Sequence, residues 1–150
     1  MGAVGVLEVF APLFGHWQGT EELTGSPWGT AGTARAALSF RAEIGGAAAV
    51  NDYRQVREDR SEFLGHGVFL VDADAGVSWW LFDSYAFPPE PATGGWRDGV
   101  LVLTKTTERG RAEHRFGVED GQLTYAIDLD LADTGPQPFL RGRYQALSGH

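Results

Sequence analysis

The sequence predicts an all-β protein: a single closed, up-and-down antiparallel barrel of about ten strands with one short N-terminal helix. Three observations support this. Glycine makes up 21 of 150 residues, about twice the usual share of roughly 7%. Apolar and polar residues alternate with a period of two along much of the chain. Turns such as Asp98-Gly99 and Asp120-Gly121 separate consecutive strands, and closing such a meander removes its exposed edges.

The only helical pattern lies at the N-terminus. Val6, Val9, Phe10, Leu13 and Phe14 recur at three- and four-residue spacing before the first glycine-rich strand. We expect this short helix to cover one end of the barrel.

The predicted strands follow one another without a linker or a change of composition, so residues 1–150 are predicted to form one domain. The eighth strand alternates most clearly, whereas segments 63–71 and 77–85 are apolar on both faces. Segment 86–95, which overlaps the sixth strand, is rich in proline and glycine and is predicted as a loop that gates the barrel mouth. The predicted strands span residues 15–23, 33–44, 47–57, 61–72, 76–85, 91–96, 99–107, 110–118, 121–130 and 137–147.

Composition excludes several function classes. A net charge of −8 repels phosphate, so no nucleic-acid partner and no anionic membrane surface are expected. The chain has no cysteine, which removes disulfides and thiolate metal sites. There is no long apolar run and no signal-like N-terminus, so we expect a cytoplasmic protein, either a monomer or a homodimer. The spacing of the four histidines does not indicate a metal site.

Three segments carry a resemblance to a known family. They are 13–19 (LFGHWQG), 65–69 (GHGVF) and 80–84 (WLFDS). Together they resemble a bacterial family of calycin-like barrels, related to the lipocalins, whose function is not established; the resemblance runs from Leu7 to Leu147. In calycins a Trp closes one barrel end beneath an Arg of the last strand. The resemblance therefore implies structural closure by Trp17 with Arg143 or Arg141.

A related branch, the nitrobindin-like barrels, binds haem through a His that follows a Gln-Pro step on the last strand. Here Gln137-Pro138 is followed by Phe139, which cannot coordinate iron. We therefore expect no haem and no other cofactor, unless His114 or His66 substitutes as the ligand.

Inward-facing polar and aromatic side chains are the candidate ligand-binding residues. His114 shares the apolar face of the eighth strand, where it is either a ligand contact or a hydrogen-bonded core residue. Asp83 shares a face with Trp79 and Tyr85, and it either pairs with Arg141 or titrates in a pocket. Tyr125 completes the set of rings, and His66 and Arg141 are further candidate ligand-binding residues.

Two further positions have open interpretations. His66 lies between two glycines, which indicates either close approach of a ligand or a bent strand with His66 on the surface. Asp52 and Arg54 share one face of the third strand, and we expect that face to be exposed to solvent.

Two functions fit these patterns. The first is binding of a small, mostly hydrophobic molecule inside the barrel, because catalytic signature motifs are missing. The alternative is an enzyme that cyclises, isomerises or hydrolyses a polyketide-like substrate with acid/base groups such as His114 and Asp83. Barrels host both kinds of activity, so the fold does not decide between them.

Overall fold

The computed structural model describes residues 5–25, 31–86, 90–108, 110–131 and 135–147. Ten antiparallel strands form one closed barrel in which each strand pairs with its neighbours in sequence and the last pairs with the first. This confirms the predicted fold class. The strands are β1 (Gly15–Leu23), β2 (Gly32–Glu43), β3 (Ala48–Arg57), β4 (Glu62–Val71), β5 (Val77–Asp83), β6 (Ala92–Arg97), β7 (Val100–Thr107), β8 (Gly110–Glu119), β9 (Gln122–Leu131) and β10 (Gly135–Ala146). A 3-10 turn, Ile44–Gly46, joins β2 to β3.

The N-terminal helix α1 (Val6–Val9) is shorter than the apolar spacing suggested. Pro12 follows it closely and has no N–H to continue the hydrogen-bond pattern. The segment nevertheless covers one end of the barrel, as expected. Two indole groups fix it there: Trp17 Nε1–H donates to the Leu13 carbonyl at 2.9 Å, and Trp96 Nε1–H donates to the Val9 carbonyl at 2.8 Å.

Beneath α1 the barrel interior is filled by packed rings. Phe69 stacks on Trp79 with a centroid distance of 5.3 Å, and Phe40 meets Phe116 edge to face at 5.5 Å. Side chains at this end are almost completely buried: Phe10, Leu13, Phe40, Phe69, Leu101, Phe116 and Leu123. This end therefore forms the hydrophobic core, and any open volume must lie toward the opposite end.

The predicted contact between Trp17 and an arginine of the last strand is wrong. Trp17 is buried on the inner face of β1, whereas Arg143 pairs in register with Thr20 and is exposed on the outer face. Arg143 donates instead to Gln122 Oε1 at 3.1 Å. Because side chains alternate between the two faces of a strand, the inward position belongs to the next residue, Tyr144, and Arg141 also faces outward.

The predicted loop over 86–95 lies partly outside the described residues. Pro88 and Pro89 lie outside the described residues, and residues from Ala92 onward belong to β6. Within the described ranges, no helix is long and apolar enough to span a membrane.

Candidate functional site

The half of the barrel opposite α1 encloses a cavity of about 820 Å³. This volume lies within the range of about 300–1,000 Å³ that is usual for small-molecule sites. Most strands contribute inward-facing side chains to its wall, which is largely apolar. The apolar part of the wall includes Leu38, Phe63, Leu81, Ile127, Leu129 and Phe139.

His114 and Tyr125 form a polar pair on the wall of this cavity. The alternation on β8 and β9 places both side chains inward, as predicted for these two positions. His114 Nδ1 lies 2.7 Å from the Tyr125 hydroxyl, and the imidazole meets the Trp79 indole edge to face at 5.0 Å. The structure therefore brings together three of the predicted site residues.

The imidazole of His114 is neutral at physiological pH. Burial, and secondarily the positive charge of Lys105, lowers the pKa of His114 to about 4. Tyr125 remains protonated as well, since burial raises its pKa well above the usual value. The pair thus offers hydrogen bonds without a net charge.

Trp79 reaches across a neighbouring strand to Asn51. Its Nε1–H donates to Asn51 Oδ1 at 3.0 Å, although β4 lies between β3 and β5. The bond passes over Gly67, where a Cβ atom would lie 2.1 Å from both Asn51 Oδ1 and Trp79 Nε1. Asn51 was not among the predicted site residues.

Asp83 and Tyr85 line the cavity on and just after β5. The Tyr85 backbone N–H donates to Asp83 Oδ1 at 3.0 Å, and the Tyr85 ring contacts Phe63 with a centroid distance of 4.9 Å. The suggested pairing of Asp83 with Arg141 is wrong. Arg141 lies on the outer face, where its guanidinium donates to Asp128 Oδ1 at 2.6 Å, so it does not contribute to the cavity wall.

His66 faces the outside of the barrel. Its Nδ1 lies 2.7 Å from Asp52 Oδ1, and Asp52 also accepts a hydrogen bond of 2.6 Å from Arg41. Of the two alternatives for His66, the structure has the surface position, because Gly65 and Gly67 take the inward positions of β4; His66 does not line the barrel cavity. The expectation that Asp52 is exposed is confirmed.

His66 borders a second, outer concavity of about 730 Å³ on β1 to β5. Phe82 and Leu64 also border it, and both are about half exposed. Arg54, whose exposure was expected, lies there too and pairs with Glu62.

A buried carboxylate, Glu21, was missed by the sequence analysis. It is 1% exposed and accepts hydrogen bonds from Tyr53, from Gln55 Nε2 at 2.7 Å, and from Tyr144. Burial raises the pKa of Glu21, and these hydrogen bonds offset only part of that effect. A signal was available: residues two and four positions after the inward Trp17 on β1 also face inward.

The described side chains do not fit the iron site of the related haem-binding branch. Phe139 lies on the cavity wall and contributes no donor atom. Among the described residues, no three His, Asp or Glu side chains come close enough to hold a metal ion.

Comparison with known proteins finds likeness at the level of fold. No family model matches the chain, and no curated protein matches it. A similar structure is Rv2717c from M. tuberculosis, with a TM-score of 0.76, 15% identity, and coverage of 97% of this chain and 99% of that one. Another is the S-type phycobiliprotein lyase CPES from Guillardia theta, with a TM-score of 0.70, 10% identity, and coverage of 98% and 95%. Both are calycin-like barrels, so the chain has a calycin-like fold.

Proposed function

We propose that the protein binds a small, mostly apolar molecule inside the barrel. The observation that carries the proposal is the cavity of about 820 Å³, which has an apolar wall and a neutral polar pair, His114 and Tyr125. Pockets for small molecules combine these features: apolar walls supply affinity, and a few placed polar groups fix orientation. The likeness to a phycobiliprotein lyase is consistent with a barrel that accommodates a chromophore-sized ligand.

His114 is the polar anchor that best serves this function. Its Nδ1 is hydrogen-bonded to the Tyr125 hydroxyl, and its Nε2 has no hydrogen-bond partner among the described residues. No buried side-chain nitrogen or oxygen in the described part of the chain lacks a partner, so Nε2 reaches open cavity space. A neutral imidazole there offers one hydrogen bond to a carbonyl or hydroxyl of the ligand.

The enzyme alternative has weaker support. An efficient general acid or base has a pKa near the working pH, whereas the pKa of His114 is about 4. The pKa of Tyr125 is raised well above its usual value, so it also lies far from the working pH. Glu21, whose pKa is raised, does not line the cavity. Binding is therefore the function we propose.

The proposal is tested with N-phenyl-1-naphthylamine, a neutral apolar probe that becomes fluorescent in apolar surroundings. We expect the wild-type protein to bind one probe per chain. Ala112 lines the cavity on β8, so Ala112→Trp fills the ligand volume and is expected to weaken binding by about tenfold or more. His114→Phe keeps the volume and should retain the probe, which has little need of a polar anchor.

Ala126→Trp provides the matched control. Ala126 lies on the outer face of β9, opposite Arg141 and Arg115, and does not line the cavity. Its probe affinity should equal that of the wild type. Absence of probe binding, or equal loss in the Ala112 and Ala126 variants, would contradict binding inside the barrel.

A further inference from the structure

The inner face of β3 ends in an arginine at the open side of the barrel. Asn51, Tyr53, Gln55 and Arg57 occupy alternate positions on this strand, and all four line the cavity. Arg57 is the last of them and is only partly exposed. An arginine on the wall of an apolar cavity is unusual, because burying a charge is costly without a partner.

A chain of hydrogen bonds fixes the orientation of Arg57. Its Nε–H donates to Gln55 Oε1 at 3.0 Å. Gln55 in turn uses Nε2 to donate to Glu21 Oε1 at 2.7 Å and to the Tyr53 oxygen at 2.9 Å. Both the oxygen and the nitrogen of the Gln55 amide are hydrogen-bonded, so the orientation of this amide is fixed. Its bond to Nε therefore fixes the plane of the Arg57 guanidinium.

The other edge of the guanidinium is available. Within the described ranges, the Nη groups of Arg57 donate no hydrogen bond and form no ion pair with a carboxylate. Glu21 and Asp59 act on Arg57 only through longer-range Coulombic attraction. No buried donor in the described part is unpartnered, so the Nη groups face open space.

We propose that the ligand carries a carboxylate, which the Nη groups of Arg57 bind at the mouth while the apolar body extends into the barrel. This inference rests on the proposed function of the cavity. The guanidinium fork matches the two oxygens of a carboxylate, and such charge-assisted pairs are stronger than neutral hydrogen bonds. Lys105 and Arg111 also line the cavity and add two further positive charges.

Glu21 and Gln55 are positioning residues in this arrangement. Gln55 holds the Nε edge of Arg57, and Glu21 in turn holds the amide of Gln55; neither meets the carboxylate itself. Asp83, Glu90 and Glu108 also line the cavity, so the described wall carries three carboxylates beside its three basic groups. Recognition therefore depends on the geometry of Arg57, since the net charge of −8 gives no general attraction for anions.

The test compares two probes with the same dansyl group and alkyl chain, 11-(dansylamino)undecanoic acid, which carries a carboxylate, and its neutral methyl ester. Fluorescence titrations at pH 7.5 give the dissociation constant of each. We expect the wild type to bind the acid about tenfold more tightly than the ester. Arg57→Gln should remove most of that preference by weakening the acid alone, and Arg57→Lys should restore only part of it, because lysine lacks the Nε edge that Gln55 holds.

Arg54→Gln is the matched control, since Arg54 lies on the outer face of the same strand and pairs with Glu62 at 2.9 Å. It should keep the full preference for the acid. Equal binding of acid and ester by the wild type, or a preference that survives Arg57→Gln, overturns the carboxylate assignment and leaves the cavity proposal intact. If neither probe binds, the proposed function fails, and this inference fails with it.

Discussion

The indole N–H of Trp79 donates a 3.0 Å hydrogen bond to Asn51 although a complete strand separates the two residues. Both side chains are 2% exposed and lie at the floor of the cavity. The bond is possible because Gly67, between them on β4, has no side chain. The absence of a side chain at Gly67 thus allows a hydrogen bond that links β5 to β3 across β4. This bond lies where the packed core ends and the open cavity begins.

Gly67→Ala is expected to lower the free energy of unfolding by about 2 kcal/mol or more, because its Cβ would displace two buried, bonded groups. Gly65→Ala is the control: the nearest atom to its Cβ would be Leu81 Cδ1 at 3.4 Å. It should cost less than about 1 kcal/mol. Urea denaturation measures both. Equal effects of the two substitutions would show that the bond across β4 has no special importance.

Glu21 should make stability depend on pH in a defined direction. Its pKa in the folded protein is raised above the unfolded value of 4.5, so the folded state binds more protons. Its contribution to stability is therefore greatest below pH 4.5 and is lost as the pH rises through the folded pKa. Relative to Glu21→Gln, the wild type should become progressively less stable from pH 4.5 upward. A difference that stays constant between pH 4 and pH 8, measured by denaturant midpoints, would contradict the raised pKa.

The contribution of His114 to stability should depend on pH in the opposite direction. Its folded pKa of about 4 lies below the ordinary value of 6.5, so its contribution is complete above pH 6.5 and is lost as the pH falls toward 4. The ring-proton NMR shift of His114, assigned by its absence in His114→Phe, should stay constant from pH 8 down to about 5.5. A titration midpoint near 6.5 would place the imidazole in a solvated environment and remove it as a neutral anchor.

Haem should not bind at the position that the resemblance assigns to the iron ligand. Phe139 occupies the wall there and has no donor atom. Addition of haemin to the purified protein should therefore give no sharp Soret band at one haem per chain. Such a band, if lost in His114→Ala, would show that His114 had become the ligand.

Much of the fold could be predicted because its signals are local. The alternation on the eighth strand and the Asp-Gly turns locate strands within a few residues of their bounds. The inward direction of His114 follows from its neighbours Ala112 and Phe116. A period-two pattern reports the face of each residue directly, without knowledge of the partner strands.

The polar network could not be predicted because it depends on partners that are distant in sequence. Glu21 and Tyr144 are separated by 123 residues and meet only after β1 pairs with β10. The contact of Trp17 with Arg143 or Arg141, which the resemblance implied, fails for a local reason: side chains alternate along β10, and its buried inward positions belong to Leu140 and Tyr144.

The most direct test of binding inside the barrel is a crystal structure of the protein with 11-(dansylamino)undecanoic acid. The account predicts density within the barrel beside Leu81 and Ile127, with the carboxylate about 2.7–3.2 Å from the Arg57 Nη groups. Probe density in the outer concavity beside His66 and Phe82, with the barrel interior empty, would contradict it.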